Sequence, residues 1–238
     1  MQDRKPLIIA LDVDDADRAR TLAAALDPAL CRLKIGKELF VSAGPDLVRE
    51  LRDSGFDIFL DLKFHDIPHT VHKAVKAAAG LGVWMLTVHA SGGKSMLEAA
   101  REGAEATANA PHLLAVTVLT SMTGEDLEQI GIQRSPMEQV QRMAALAQES
   151  GMHGVVCSAQ ETEALRKLLH KRFLLVTPGI RPAGDPVGDQ KRVMTPEQAL
   201  RAGSDYLVIG RPVTRSRQPG QKLARIRDSL AGVIGDLC

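Results

Sequence analysis

Eight short apolar runs constrain this chain more than anything else in it. They fall at 7–13, 29–36, 57–64, 85–90, 113–119, 154–159, 174–179 and 206–211, and they are nearly continuous in Val, Ile, Leu and Ala. A strand with one wet face alternates apolar and polar residues, whereas a strand buried on both faces does not, so these runs predict a parallel sheet covered by helices. The stretches between them are amphipathic and rich in Ala, Leu, Glu, Lys and Arg, as in ADRARTLAAAL at 16–26 and MEQVQRMAALAQES at 137–150. Eight βα steps in 238 residues average roughly 30 residues each, the length of one βαβ step. Eight such steps close into an α/β fold of the (β/α)8 TIM-barrel type. An open doubly wound sheet has the same alternation. Its dinucleotide fingerprint is missing, because Leu11-Asp12-Val13-Asp14-Asp15 after the first run contains no glycine. Without a low-complexity tract or a Pro/Ser-rich linker, the chain reads as one domain over 1–238. One long irregular segment, 178–196 (PGIRPAGDPVGDQKRVMTP), has the character of a lid or binding loop.

Charge excludes several function classes. Thirty Lys and Arg against 29 Asp and Glu leave a formal charge of +1, which offers no basic stripe for a nucleic-acid polymer or an anionic membrane. Five Phe, one Trp and one Tyr supply little material for stacking unpaired bases. Cys31, Cys157 and Cys238 are scattered and odd in number, which fits reduced thiols in a cytoplasmic protein better than a disulfide framework or a zinc ribbon. The first residues, MQDRKPLIIALDVDD, lack the pattern of a signal peptide. No apolar run approaches the roughly 18 residues of a membrane span.

In a barrel of this type the chemistry sits at the carboxyl ends of the strands. Those ends are charged here: Asp12 after the first run, Lys34 in the second, Asp61 and Lys63 in the third, His89 in the fourth, and Thr120 after the fifth. Ser158 follows the sixth, Gly179 and Arg181 the seventh, Gly210 and Arg211 the eighth. A charge inside an apolar strand is costly unless paired, so such a set either neutralises itself or serves a charged ligand. A structural salt bridge explains any one pair, but not the whole set. Asp61 and Lys63, two apart on a strand, project to the same face. Asp66 lies just beyond, before a helix that Pro68 can open. Lys34 on the neighbouring strand completes an alternating array, which suits donation of a proton to a developing carbanion. Gly210-Arg211 and Gly179-Ile180-Arg181 stand where barrels commonly bind phosphate, with glycine admitting the anion to backbone amides and arginine supplying a forked contact.

Other signals point to ordinary structure. His65, His69 and His72 have spacings that suggest a metal site, yet Pro68 interrupts them and histidines at a helix start are commonly solvated. Ser91-Gly92-Gly93-Lys94-Ser95 resembles the end of a P-loop, but Val88 stands where the first glycine is required, so it reads as a strand-to-helix turn. Asp12-Val13-Asp14-Asp15 lacks the glycine and glutamate of a calcium loop, and Asp14 and Asp15 read as helix caps. His89 reads equally as a core histidine.

Along essentially its whole length the chain resembles the orotidine 5′-phosphate decarboxylase family. Asp61-Leu62-Lys63-Phe64-His65-Asp66-Ile67-Pro68 carries the D-x-K-x-x-D signature with the flanks of its bacterial members. Ala10-Leu11-Asp12, Leu33-Lys34-Ile35-Gly36, Leu119-Thr120-Ser121, Pro178-Gly179-Ile180-Arg181 and Ile209-Gly210-Arg211 follow in the family's order. The resemblance implies decarboxylation of orotidine 5′-monophosphate to uridine 5′-monophosphate, with no metal or organic cofactor. It implies that Lys63 protonates C6, that Asp61 faces the departing carboxylate, and that Lys34 completes the charged tetrad and touches the ribose. Asp66 and Thr70 would reach the partner's site across a homodimer, with Ile67 among the substrate-binding residues. Asp12 would bind the ribose hydroxyls, and Thr120 the pyrimidine, a contact that Ser121 or Thr123 could share. Gln190, Arg181, Gly210 and Arg211 would hold the phosphate beneath a closing loop at 178–196.

Two other functions share parts of this pattern. A magnesium-dependent sugar-phosphate decarboxylase or aldolase can share D-x-K-x-x-D, but needs an acidic metal ligand where the second strand here offers Lys34. A silent phosphate-ligand sensor has no need to keep Asp61, Lys63 and Asp66 together.

Overall fold

The structure, a computed structural model, describes residues 5–185 and 193–236. Strands β1 (Leu7–Ala10), β2 (Arg32–Gly36), β3 (Ile58–Phe64) and β4 (Met85–His89) are followed by β5 (His112–Val116), β6 (Gly154–Val156), β7 (Leu174–Thr177) and β8 (Tyr206–Ile209). Each pairs in parallel with the next, and β8 returns to β1 through Leu207–Leu7 and Ile209–Ile9, closing the barrel. Helices α1 (Ala16–Ala24), α2 (Lys37–Asp53), α3 (Pro68–Ala79), α4 (Gly93–Glu105), α5 (Gly124–Gln129) and α6 (Pro136–Glu149) connect the first six strands. They are followed by α7 (Thr162–Leu168), α8 (Pro196–Arg201), α9 (Arg211–Thr214), α10 (Pro219–Ser229) and α11 (Ala231–Asp236). The fold is thus a single-domain (β/α)8 barrel, as the apolar runs predict.

The strands are shorter than those runs. Leu11, Val13, Val118 and Cys157 lie beyond the last residue of their strands yet are buried. A buried turn is as apolar as a strand, so composition extends each run past the point where the ladder stops. Asp12 and Thr120 therefore sit in loops after β1 and β5 rather than on strands. Helix starts follow local chemistry more closely. Asp15 caps α1 by accepting the amide of Arg18 at 2.8 Å, whereas Asp14 forms an ion pair with Arg18 at 2.7 Å instead of capping. Pro68 opens α3, and Gly93 begins α4 at the turn anticipated from Ser91 to Ser95. The helices α3 and α4 approach so closely that a Cβ on Gly103 would stand 2.4 Å from the carbonyl oxygen of His72, fixing the helix that follows the signature segment.

Side chains of alternate strand residues fill the barrel. Ile8, Ala10, Phe59, Met85, Leu114, Val176 and Val208 form its inner apolar layer. The amino-terminal end is plugged by Arg32, whose guanidinium lies 4.2 Å over Trp84 and 5.2 Å over Tyr206. Trp84 meets His112 edge-on at 5.9 Å, and His112 meets His153 at 5.2 Å. Burial holds the imidazole of His112 below its ordinary value, reinforced by His153 and Arg32. Burial likewise lowers His153, against an opposing pull from Glu105. The unfolded chain therefore takes up protons on these rings more readily than the fold does. Stability is predicted to decline as pH drops through about 6.5, the unfolded imidazole value, toward the lower folded values. Thermal melts at about pH 7.5 and about pH 5.5 check this: the Tm should be lower at the acid pH, and the gap should narrow in a His112→Gln/His153→Gln variant.

Candidate active site

At the opposite, carboxyl-terminal mouth the inward residues become polar. Lys34 on β2, Asp61 on β3 and Thr87 on β4 are each buried. Asp61 is the hub. Its Oδ2 lies 2.7 Å from the Nζ of Lys63 and 3.7 Å from that of Lys34, and its Oδ1 accepts a hydrogen bond from the Thr87 hydroxyl at 2.9 Å. Lys34 also donates to Asp12 at 3.1 Å. Burial pushes the Asp61 carboxyl upward, but the Lys34 and Lys63 charges and the hydrogen bonds from Lys63 and Thr87 together hold it below the ordinary carboxylate range. Acid and base thus alternate through Asp12, Lys34, Asp61 and Lys63, whereas the array read from the sequence takes Asp66 in place of Asp12 as its second acid.

Lys63 reaches that place by a route that simple alternation does not describe. Leu60 pairs with Leu86 and Phe64 with Val88, so four residues of travel on β3 face two on β4. The extra residues form a bulge, and Lys63 takes φ 53°, the single non-glycine positive φ among the described residues. A side-chain-bearing residue there costs roughly 1–2 kcal/mol. The backbone N–H of Lys63 is taken up by Thr87 Oγ1 at 2.9 Å.

A cavity of about 200 Å³ opens above this array, lined by Lys34, Asp61, Lys63 and Thr120, with Phe59, Val116, Val156 and Val208 as an apolar floor. Asp12 turns toward a neighbouring cavity of about 640 Å³, which Arg211 and Arg215 also line. A third, of about 420 Å³, is lined by Arg181, Arg211, Arg215 and Lys222, the last paired with Asp185 at 2.8 Å. Arg211, opening α9, thus stands between the two outer cavities. Two glycines keep the path clear: a Cβ on Gly36 would lie 3.4 Å from Lys34 Nζ, and one on Gly210 would lie 3.4 Å from Asp12 Oδ2. Gly179 turns the chain after β7 at φ 77°. Arg181 beyond it is buried and donates to the carbonyl oxygen of Ile180 at 2.8 Å. A parallel bridge between Ile180 and Met194 pinches the base of the 178–196 segment; Gln190 lies outside the described residues.

Several expected residues stand elsewhere. Asp66 is exposed and its carboxylate accepts the amide of Ile67 at 2.6 Å; among the described residues no ion pair joins it to Lys63. The sequence reading that sets Lys63 between two acids therefore does not hold within one chain, because the β3–α3 turn carries Asp66 outward. Ile67, 67% exposed, and Thr70 belong to the same exposed run. Ser158 caps the turn at Ala159–Glu161 and so serves structure. His89 is not a core residue: it is half-buried at the mouth, its ring 5.5 Å from that of His65. Burial, followed by the neighbouring His65, Lys63 and Lys37, keeps its imidazole below the ordinary value. Thr87 and Arg215 were not legible as site residues. A lone threonine in MLTVH is ordinary strand composition, and Arg215 is visible only as the residue one helical turn after Arg211.

The model of the Orotidine 5'-phosphate decarboxylase / HUMPS family matches residues 5–226. Orotidine 5'-phosphate decarboxylase of Aliivibrio fischeri is 57% identical over 235 residues, 98% of this chain and 100% of that protein. Its counterpart in Saccharophagus degradans is 59% identical over 225 residues, 94% of each chain. The crystal structure of orotidine 5'-phosphate decarboxylase from Lactobacillus acidophilus superposes with a TM-score of 0.87 at 39% identity, covering 95% of this chain and 99% of that one.

Proposed function

Because this chain belongs to the Orotidine 5'-phosphate decarboxylase / HUMPS family, we propose that it is a carboxy-lyase that converts orotidine 5′-monophosphate to uridine 5′-monophosphate and carbon dioxide in pyrimidine biosynthesis. The observation that carries the reading is the Lys34–Asp61–Lys63 array facing an apolar-floored cavity. The pyrimidine enters that cavity near Thr120, with its C6 carboxylate toward Asp61. As the C6–carboxylate bond breaks, the electron pair stays on C6, and the Lys63 ammonium, held at the mouth by Asp61, stabilises it and then donates its proton there. Lys63 recovers a proton from solvent after the product departs. Lys34 favours this reading over metal-dependent chemistry, since an ammonium 3.7 Å from Asp61 repels a divalent cation at that carboxylate.

The ribose lies along Asp12 and Lys34, between Gly36 and Gly210, and the phosphate meets Arg211 and Arg181. Binding energy gathered at that remote anion is available to lower the barrier at C6. The closing role proposed for segment 178–196, and the part of Gln190 in it, rests here on Arg181 at the described base of the loop. We also place Asp66, Ile67 and Thr70 at a homodimer interface. Their exposure beside the mouth, with an apolar Ile67 among them, supports a second copy that receives Asp66 and Thr70 at its own site. No helix among the described residues is long and apolar enough to cross a membrane, and a cytoplasmic location is part of the same proposal.

Incubation of the purified protein with orotidine 5′-monophosphate tests the function. Uridine 5′-monophosphate and carbon dioxide should appear in equal amounts. Intact nucleotide after prolonged incubation would refute the assignment.

A further inference from the structure

We propose that Thr87 is a positioning residue for the Lys63 ammonium, holding through one hydroxyl both the strained backbone on which Lys63 stands and the carboxylate with which it pairs. The role rests on the reading of Lys63 as proton donor.

Thr87 is wholly buried on β4, directly beside the bulge of β3. Its hydroxyl has one proton, donated to Asp61 Oδ1, and it accepts the backbone N–H of Lys63; both contacts measure 2.9 Å. Asp61 has Lys63 and Lys34 as further partners, whereas the Lys63 amide has the Thr87 hydroxyl as its acceptor. The Lys63 amide has been drawn out of the β3–β4 ladder by the bulge, and a fully buried hydroxyl leaves no room for solvent to take its place. Lys63 adopts a left-handed φ of 53° without the freedom of glycine, a conformation that persists only where surrounding contacts over-determine it. Leu62 and Phe64 on either side of Lys63 pack against the core, and the Thr87 hydroxyl supplies the polar restraint on the Lys63 amide itself. The same oxygen therefore couples the direction of the Lys63 side chain to the orientation of Asp61. Removal would let β3 relax toward ordinary pairing with β4 and carry Nζ away from the reacting carbon, whereas the phosphate end, built on the segments after β7 and β8, would stay in place.

Thr87→Val keeps the shape and removes the hydroxyl, and Thr87→Ser keeps the hydroxyl and removes a methyl group. Steady-state kinetics on orotidine 5′-monophosphate and binding of uridine 5′-monophosphate are measured for both, beside wild type and Lys63→Ala. Thr87→Val should lose roughly 10- to 100-fold in kcat, the scale of an ångström-sized misplacement, with KM and product affinity within about threefold of wild type. Thr87→Ser should return to within about fivefold in kcat. The proposal is overturned if folded Thr87→Val keeps kcat within about twofold, if Ser fails to rescue, or if the loss falls on KM and product binding. An inactive wild type refutes the parent reading and this role together. Inactive Lys63→Ala alongside fully active Thr87→Val refutes this role alone. Should Thr87→Val not fold, Thr87→Ala against Thr87→Ser draws the same contrast between hydroxyl absent and hydroxyl present.

Discussion

Lys63→Ala lowers kcat on orotidine 5′-monophosphate by roughly 10⁴-fold or more, while KM changes by less than about tenfold. Two effects combine in that loss. In the proposed mechanism the ammonium is the proton source for C6, and it is also the positive charge nearest the electron pair as that pair forms. A fixed donor of this kind supplies a barrier reduction that water, which must reorganise, cannot match. Such a fall in rate corresponds to roughly 5–6 kcal/mol of transition-state stabilisation. The fold should survive the change, because Asp61 keeps Lys34 and the Thr87 hydroxyl as partners and alanine bears the same Cβ at φ 53°. Circular dichroism and a thermal melt check that point alongside the kinetics. A variant within about tenfold of wild-type kcat would remove Lys63 from the role of donor.

Arg211→Ala has the second largest effect, a drop of roughly 10²- to 10³-fold in kcat/KM, or about 3–4 kcal/mol. Its guanidinium stands between the two outer cavities and can offer a phosphate two parallel N–H donors. The loss should appear in kcat as well as in KM, because binding energy from a non-reacting group is used in part at the reacting carbon. Arg211→Lys should recover only a fraction, since a lysine ammonium carries the charge without the fork. Equal activity of the alanine variant and wild type on the nucleotide would place the phosphate elsewhere.

The barrel was legible in the sequence because parallel strands buried on both faces leave runs that few other arrangements require. Strand ends were less so: Leu11 and Val118 are as apolar as any strand residue, yet they lie in buried turns. The meeting of Asp61 with Lys63 was correctly anticipated, but for an incomplete reason. Alternation alone puts the two side chains on one face, whereas the fold brings them together through a two-residue bulge at a lysine in a left-handed conformation. No glycine marks that bend, so local sequence does not announce it. Thr87 was hidden for a related cause, since its importance comes from the register of the neighbouring strand. The plug of Arg32, Trp84, His112 and Tyr206 likewise draws on residues far apart in the chain that meet only on closure of the barrel. Asp66 differs again, because a single chain leaves it exposed, and the site proposed to receive it lies on a second copy.

Decarboxylation of orotidylate by this chain is proposed to run through the ammonium of Lys63 and not through a bound metal. It is tested most directly by following loss of orotidine 5′-monophosphate absorbance after exhaustive chelation, with wild type and Lys63→Ala in parallel. The wild-type rate should be undiminished in chelator and the rate of the variant near background. A wild-type rate that collapses in chelator and returns with magnesium, or a variant that keeps pace with wild type, would contradict it.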